Sequence, residues 1–102
     1  MEWQTIIHDP GFHKSSVDPL NQRGSVGIRG FSNGSWYGAW TMIPFSLWNT
    51  IDPNEIAKVL INHANNGGTI RERYLIYEGV TPPMLHLVYD TTEGQWIVQE
   101  EQ

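Results

Sequence analysis

The residues able to do chemistry in this chain are few and scattered. His8, Asp9 and His13 fall within one short stretch and supply two imidazoles and a carboxylate, a set able to ligate a metal ion. Pro10 and Gly11 interrupt that stretch, its spacing fits neither a helix face nor a strand face, and no further ligand pair accompanies it. The expectation is a polar loop without a metal. His63 and His86 could serve as general acid or base if a carboxylate such as Glu72 stood opposite one of them. Otherwise each reads as a hydrogen-bonded histidine on the edge of an apolar face. Arg71 and Arg73 are expected on one strand face, with Arg29 a third candidate. Paired arginines hold a carboxylate or phosphate, or they pair with the chain's own acidic residues. Gly24, Gly27 and Gly30 lead into a strand and not a helix, so they form no phosphate loop. There is no Gly-x-Ser-x-Gly elbow and no cysteine, which leaves no nucleophile motif, thiolate site or disulfide. No catalytic residues are assigned, no cofactor is expected, and a non-enzyme is favoured over a small enzyme.

Aromatic chemistry is denser. Five tryptophans occur, and Trp36 and Trp40 share one strand face with Gly38 between them. Two rings around a gap one side chain wide could grip a flat ligand, a sugar face or an aromatic anchor. The competing reading fills the gap with a small helix residue such as Ala57 or Ala64. Gly34-Ser35-Trp36-Tyr37 resembles the Gly-x-Trp signature of lipocalins over four residues. In that family the signature opens the first strand of a barrel longer than the chain remaining here, so nothing further is carried over.

Charge is unevenly placed. The net charge is −5, yet residues 1–77 balance; the excess comes from Glu78, Asp90, Glu93, Glu100 and Glu101, with no Lys or Arg after residue 77. An acidic end repels phosphate backbones, which argues against a nucleic-acid partner, and attracts a basic protein surface. Net charge of this size also serves solubility alone. No apolar run is long enough to cross a bilayer and the N-terminus lacks signal-peptide character, so a cytoplasmic setting is expected with no membrane partner. Asn33-Gly34-Ser35 matches a glycosylation sequon but reads as a turn.

These residues need elements to position them. Residues 51–68 carry a complete helix signal: Asp52 as N-cap, Pro53 at the first helical position, and Glu55 where a capping box would have it. Ile51 and Ile56 are set for a hydrophobic staple, and Gly67 or Gly68 provides the stop. Ile56, Leu60 and His63 with Ala57, Ile61 and Ala64 form its apolar stripe. Strands are expected at 2–8, 25–31, 35–43, 69–78, 84–89 and 95–100. Asn33-Gly34 closes a hairpin between the second and third. Residues 9–24 form a long loop. Phe45, Leu47 and Trp48 are expected to cap one end of the core.

The predicted architecture is a single α+β domain, residues 1–102. An antiparallel sheet of five to six strands, three before the helix and three after it, curls around or packs on one helix at about residues 52–66. The last three strands are expected as a meander.

The expected function is binding: a small acidic protein of inhibitor or immunity type, meeting a partner through Glu78, Tyr89, Asp90, Glu93, Trp96, Glu100 and Glu101. Tyr89 and Trp96 would be the anchors, and the carboxylates would speed encounter with a basic surface. Charge reversal at Glu93 and Glu100 would then slow association. The alternative is a small-molecule binder or small enzyme with a pocket between helix and sheet, lined by Trp36, Trp40, Tyr74 and His86. A homodimer is a third form.

Overall fold

A computed structural model describes residues 1–10, 23–74 and 84–99. Strands β1 (Trp3–His8), β2 (Arg23–Ser32) and β3 (Ser35–Pro44) are followed by a short helix α1 (Phe45–Trp48) and the main helix α2 (Pro53–Asn65). A two-residue strand β4 (Arg71–Glu72) and the hairpin strands β5 (His86–Asp90) and β6 (Gln95–Gln99) complete the order. The chain is α+β, but its strands form two sheets. One is antiparallel in the order β1-β2-β3-β4, and the other is the β5–β6 ribbon. The expected single sheet and closing meander are therefore corrected: β4 pairs with β3, not with β5. Beyond β4 along the same edge of β3, Met84 bridges Trp40 in parallel and the Leu85 N–H donates to the Trp40 carbonyl at 2.8 Å. Most of the expected 9–24 loop and residues 75–83 of the next strand and turn lie outside the described residues.

Local signals explain the long elements. Asn33 (φ 51°) and Gly34 (φ 80°) are both left-handed, the geometry that matches the twist of the two strands they join. At α2, Asp52 Oδ1 accepts from the Asn54 N–H at 2.9 Å. The Glu55 side chain, expected to close a capping box, pairs instead with Lys58 at 3.0 Å on the exposed surface. The helix ends in a Schellman turn: Gly68 N–H donates to His63 O and Gly67 N–H to Ala64 O, with Gly67 at φ 84°.

The core lies between α2 and one face of the four-stranded sheet. Register puts Val26 and Ile28 beside Thr41 and Ala39, with Ile43 further along β3. Ile56, Ala57 and Leu60 of α2 pack on these residues, Leu85 joins them, and Trp3, Trp48, Leu87, Trp96 and Val98 close the edges. Trp3 also donates its indole N–H to Asn65 Oδ1 at 3.0 Å, tying β1 to the end of α2. Trp48 caps the core as expected, whereas Phe45 and Leu47 are exposed.

One irregularity decides what covers the other face. The N–H groups of Arg73 and Tyr74 both donate to the Trp36 carbonyl, so two residues oppose one, and Arg73 has φ 65°. This is a β-bulge with arginine at the left-handed position usually held by glycine. Strict alternation would put Tyr74 on the Glu72 side, facing the helix; the extra residue turns it to the opposite face. A left-handed residue other than glycine costs roughly 1–2 kcal/mol, part of which glycine would lose again to chain entropy. Arg73→Gly is therefore expected to raise the unfolding free energy by about 0.5–1 kcal/mol, measured by urea titration. A loss of stability would show that the arginine side chain has a structural partner.

Candidate functional site

The face away from α2 carries Trp36, Gly38, Trp40 and Met42 of β3 beside Phe31, Arg29 and Gly27 of β2. The gap between Trp36 and Trp40 is filled, though not by the helix. Tyr74 lies in it: a Cβ added at Gly38 would meet the Tyr74 ring, and one at Gly27 would meet its hydroxyl. Tyr74 is 5 % exposed. Trp36, Trp40 and Tyr74 thus come together, but on the opposite side of the sheet from the helix, so they line no pocket between helix and sheet. The reason is the two-residue period of β3, which sends Ala39, Thr41 and Ile43 toward α2 and the tryptophans away. His86 is exposed on the outer face of the β5–β6 ribbon, where the residue opposite it in register is Gln99.

Burial raises the Tyr74 phenol above its ordinary value of 10.0, and the nearby Arg29 charge partly offsets this. The folded chain therefore holds this proton more tightly than the unfolded chain. The stabilising effect is complete below about pH 10 and is lost as pH rises through the raised value. Stability is expected to fall above about pH 10 with a slope that Tyr74→Phe removes, read from denaturant titrations across alkaline pH. An unchanged slope in Tyr74→Phe would assign the loss to other groups.

The other candidates disperse. His8 meets the Ser25 hydroxyl at 3.5 Å, while His13 lies outside the described residues. Among the described residues, no three His, Asp or Glu side chains gather to hold a metal. The His63 ring packs over Gly68 at the end of α2. Glu72, proposed as a partner for a histidine, accepts from the Ser35 hydroxyl at 2.9 Å.

Of the seven residues expected to meet a partner, Glu78, Glu100 and Glu101 lie outside the described residues. Tyr89 and Trp96 are cross-strand neighbours with rings edge-to-face at 5.3 Å. Asp90 Oδ1 accepts from the Thr92 and Glu93 N–H groups, so this carboxylate shapes the hairpin turn; Glu93 stands exposed in the same turn.

Trp96 also borders a feature that sequence reasoning missed. An open cleft with a cavity volume of about 50 Å³ lies where the end of β3, α1, the start of α2 and the β5–β6 ribbon converge. Met42, Ile43 and Pro44 line one side, Leu47, Ile51 and Ile56 the next, and Leu87 and Trp96 the last. Every lining residue is apolar. Met42 (41 % exposed) and Leu47 (37 % exposed) form its rim. The available signal was the dense apolar run at 42–51, which continues past the end of a strand that Pro44 had already closed.

The fold defines an α+β domain with a four-stranded antiparallel sheet, a two-stranded ribbon and one main helix. Comparison with protein families, characterised proteins and solved structures finds no match to the chain. No helix among the described residues is long and apolar enough to cross a membrane.

Proposed function

We propose that this chain is a binding domain that seats an apolar side chain of a basic partner protein in the cleft beside Trp96. The carrying observation is the cleft: eight apolar residues from β3, α1, α2, the β5–β6 ribbon and the α1–α2 connection border an open cavity of about 50 Å³. An apolar anchor entering such a pocket loses its contact with water, which is how a few residues come to dominate an interface. The neighbouring ribbon supplies the edge-to-face Tyr89–Trp96 pair and, at its tip, Asp90 and Glu93. These carboxylates belong to the C-terminal quarter that holds the whole negative excess, which supports a basic partner. An inhibitor or immunity-type role is the specific form of this reading.

A second reading, a small apolar ligand in the same cleft, draws on the all-apolar lining. A peptide-display selection against the wild-type chain and Leu47→Asp separates the two. For a basic protein partner, enriched peptides should carry one bulky apolar residue flanked by Lys or Arg, and should lose their binding to Leu47→Asp. Equal binding to the variant would remove the cleft from the interface. Failure to enrich any peptide, together with a rise in melting temperature on adding apolar metabolites, would favour the small ligand.

A further inference from the structure

The sheet face away from α2 has a sign of its own. The strands place Arg23, Arg29 and Arg71 on it and no carboxylate; Glu72, the one acidic residue within the four strands, sits on the helix side opposite Tyr37. Arg29 and Arg71 flank Gly38 in register on either side of β3, about 10 Å apart at two strand spacings. Arg29 is held in a fixed pose. Its Nε donates to Gln4 Oε1 at 2.9 Å, and its guanidinium carbon lies 4.9 Å from the centre of the Trp36 ring. Trp36 is itself braced by Phe31, edge-to-face at 5.2 Å. With Nε engaged and the guanidinium carbon over the indole, the two terminal nitrogens remain as a planar donor edge; among the described residues no acceptor meets them.

We propose that this edge is a binding site for an oxyanion, a carboxylate or phosphate group of a small molecule, with Arg29 as the bidentate donor. Two features favour this over a solvated arginine. A guanidinium already clamped by a hydrogen bond and a ring has lost its side-chain freedom before the ligand arrives, so binding incurs little ordering cost. The Tyr74 ring, turned onto this face by the left-handed Arg73, fills the groove over Gly38 and gives the site an apolar floor beside the donor edge. That bulge holds a strained backbone where a regular strand would have left the groove open. The site lies on the face opposite α2, and its existence does not depend on the cleft.

The test is an NMR titration of the labelled chain with inorganic phosphate and, separately, with acetate, against sodium chloride at matched ionic strength. Saturable shifts centred on Trp36, Gly38 and the Arg29 side chain are expected with the oxyanions and not with chloride. Stronger binding of phosphate or of acetate identifies which group the site prefers. Arg29→Met should weaken binding roughly tenfold or more, Arg29→Lys should lose most of it despite keeping the charge, and Lys58→Met on α2 should leave it unchanged. Equal shifts with chloride, or Arg29→Lys binding as well as wild type, would overturn the proposal. The lysine variant keeps the charge and a stem of similar length, so it decides the matter even if Arg29→Met fails to fold.

Discussion

Leu60→Ala is expected to lower the unfolding free energy by about 3–5 kcal/mol, the upper part of the range for truncating a buried leucine. Leu60 has no exposed surface and belongs to the buried α2–sheet cluster with Val26, Ile28, Ile56 and Leu85. Its surroundings are poorly able to collapse into the space left behind. On one side is a helix held at both ends by a cap and a Schellman turn, and on the other is a sheet with ten-residue strands. For a domain of this size the loss is a large fraction of the whole stability, and the melting temperature should fall by on the order of 15–25 °C. Urea titration read by both tryptophan fluorescence and far-ultraviolet circular dichroism checks it. A loss under about 1.5 kcal/mol, the value for a half-exposed leucine, would mean that α2 does not cover this face.

Gly38→Ala should cost about 2–4 kcal/mol although it adds a single methyl group, because overpacking against backbone is among the more expensive small changes. The new Cβ would stand 2.5 Å from the Ile28 carbonyl oxygen and 2.5 Å from Cγ of Tyr74. Of these two neighbours, Tyr74 can be removed and the carbonyl cannot. A double-mutant cycle with Tyr74→Ala therefore divides the cost. Tyr74→Ala alone should be destabilising, and Gly38→Ala added to it should cost clearly less than in the wild-type background, the remainder being the backbone clash. Full additivity would mean that the ring does not occupy the groove, and the account of the sheet's second face would fall with it.

The candidate sites divide along the same line. Tyr89 and Trp96 were legible from the sequence as candidate anchors on successive strands, and the register of the β5–β6 ribbon made them cross-strand neighbours. The cleft beside Trp96 could not, since its walls come from β3, α1, α2 and the β5–β6 ribbon, which no local pattern brings together. Trp36 and Trp40 were legible as a same-face pair around a glycine. What filled the gap was not, because Tyr74 enters it through a bulge, and a bulge shifts the two-residue period by one. The left-handed residue there is an arginine, so the glycine that usually marks such a site in a sequence was missing.

By itself, the sequence determined the parts whose causes lie within a few residues: the span and both ends of α2, the Asn33-Gly34 hairpin, the alternation along β3, and the concentration of negative charge after residue 77. Tertiary structure decided which of the two apolar faces of β3 the helix would cover, that the strands would separate into two sheets, and that Tyr74 and Arg29 would meet over Trp36. The physical reason is range. Caps and tight turns are set by hydrogen bonds between near neighbours, whereas the choice between two apolar faces depends on the total area each can bury against distant parts of the chain. In this protein both faces could bury aromatic or aliphatic surface, and packing against α2 made the choice.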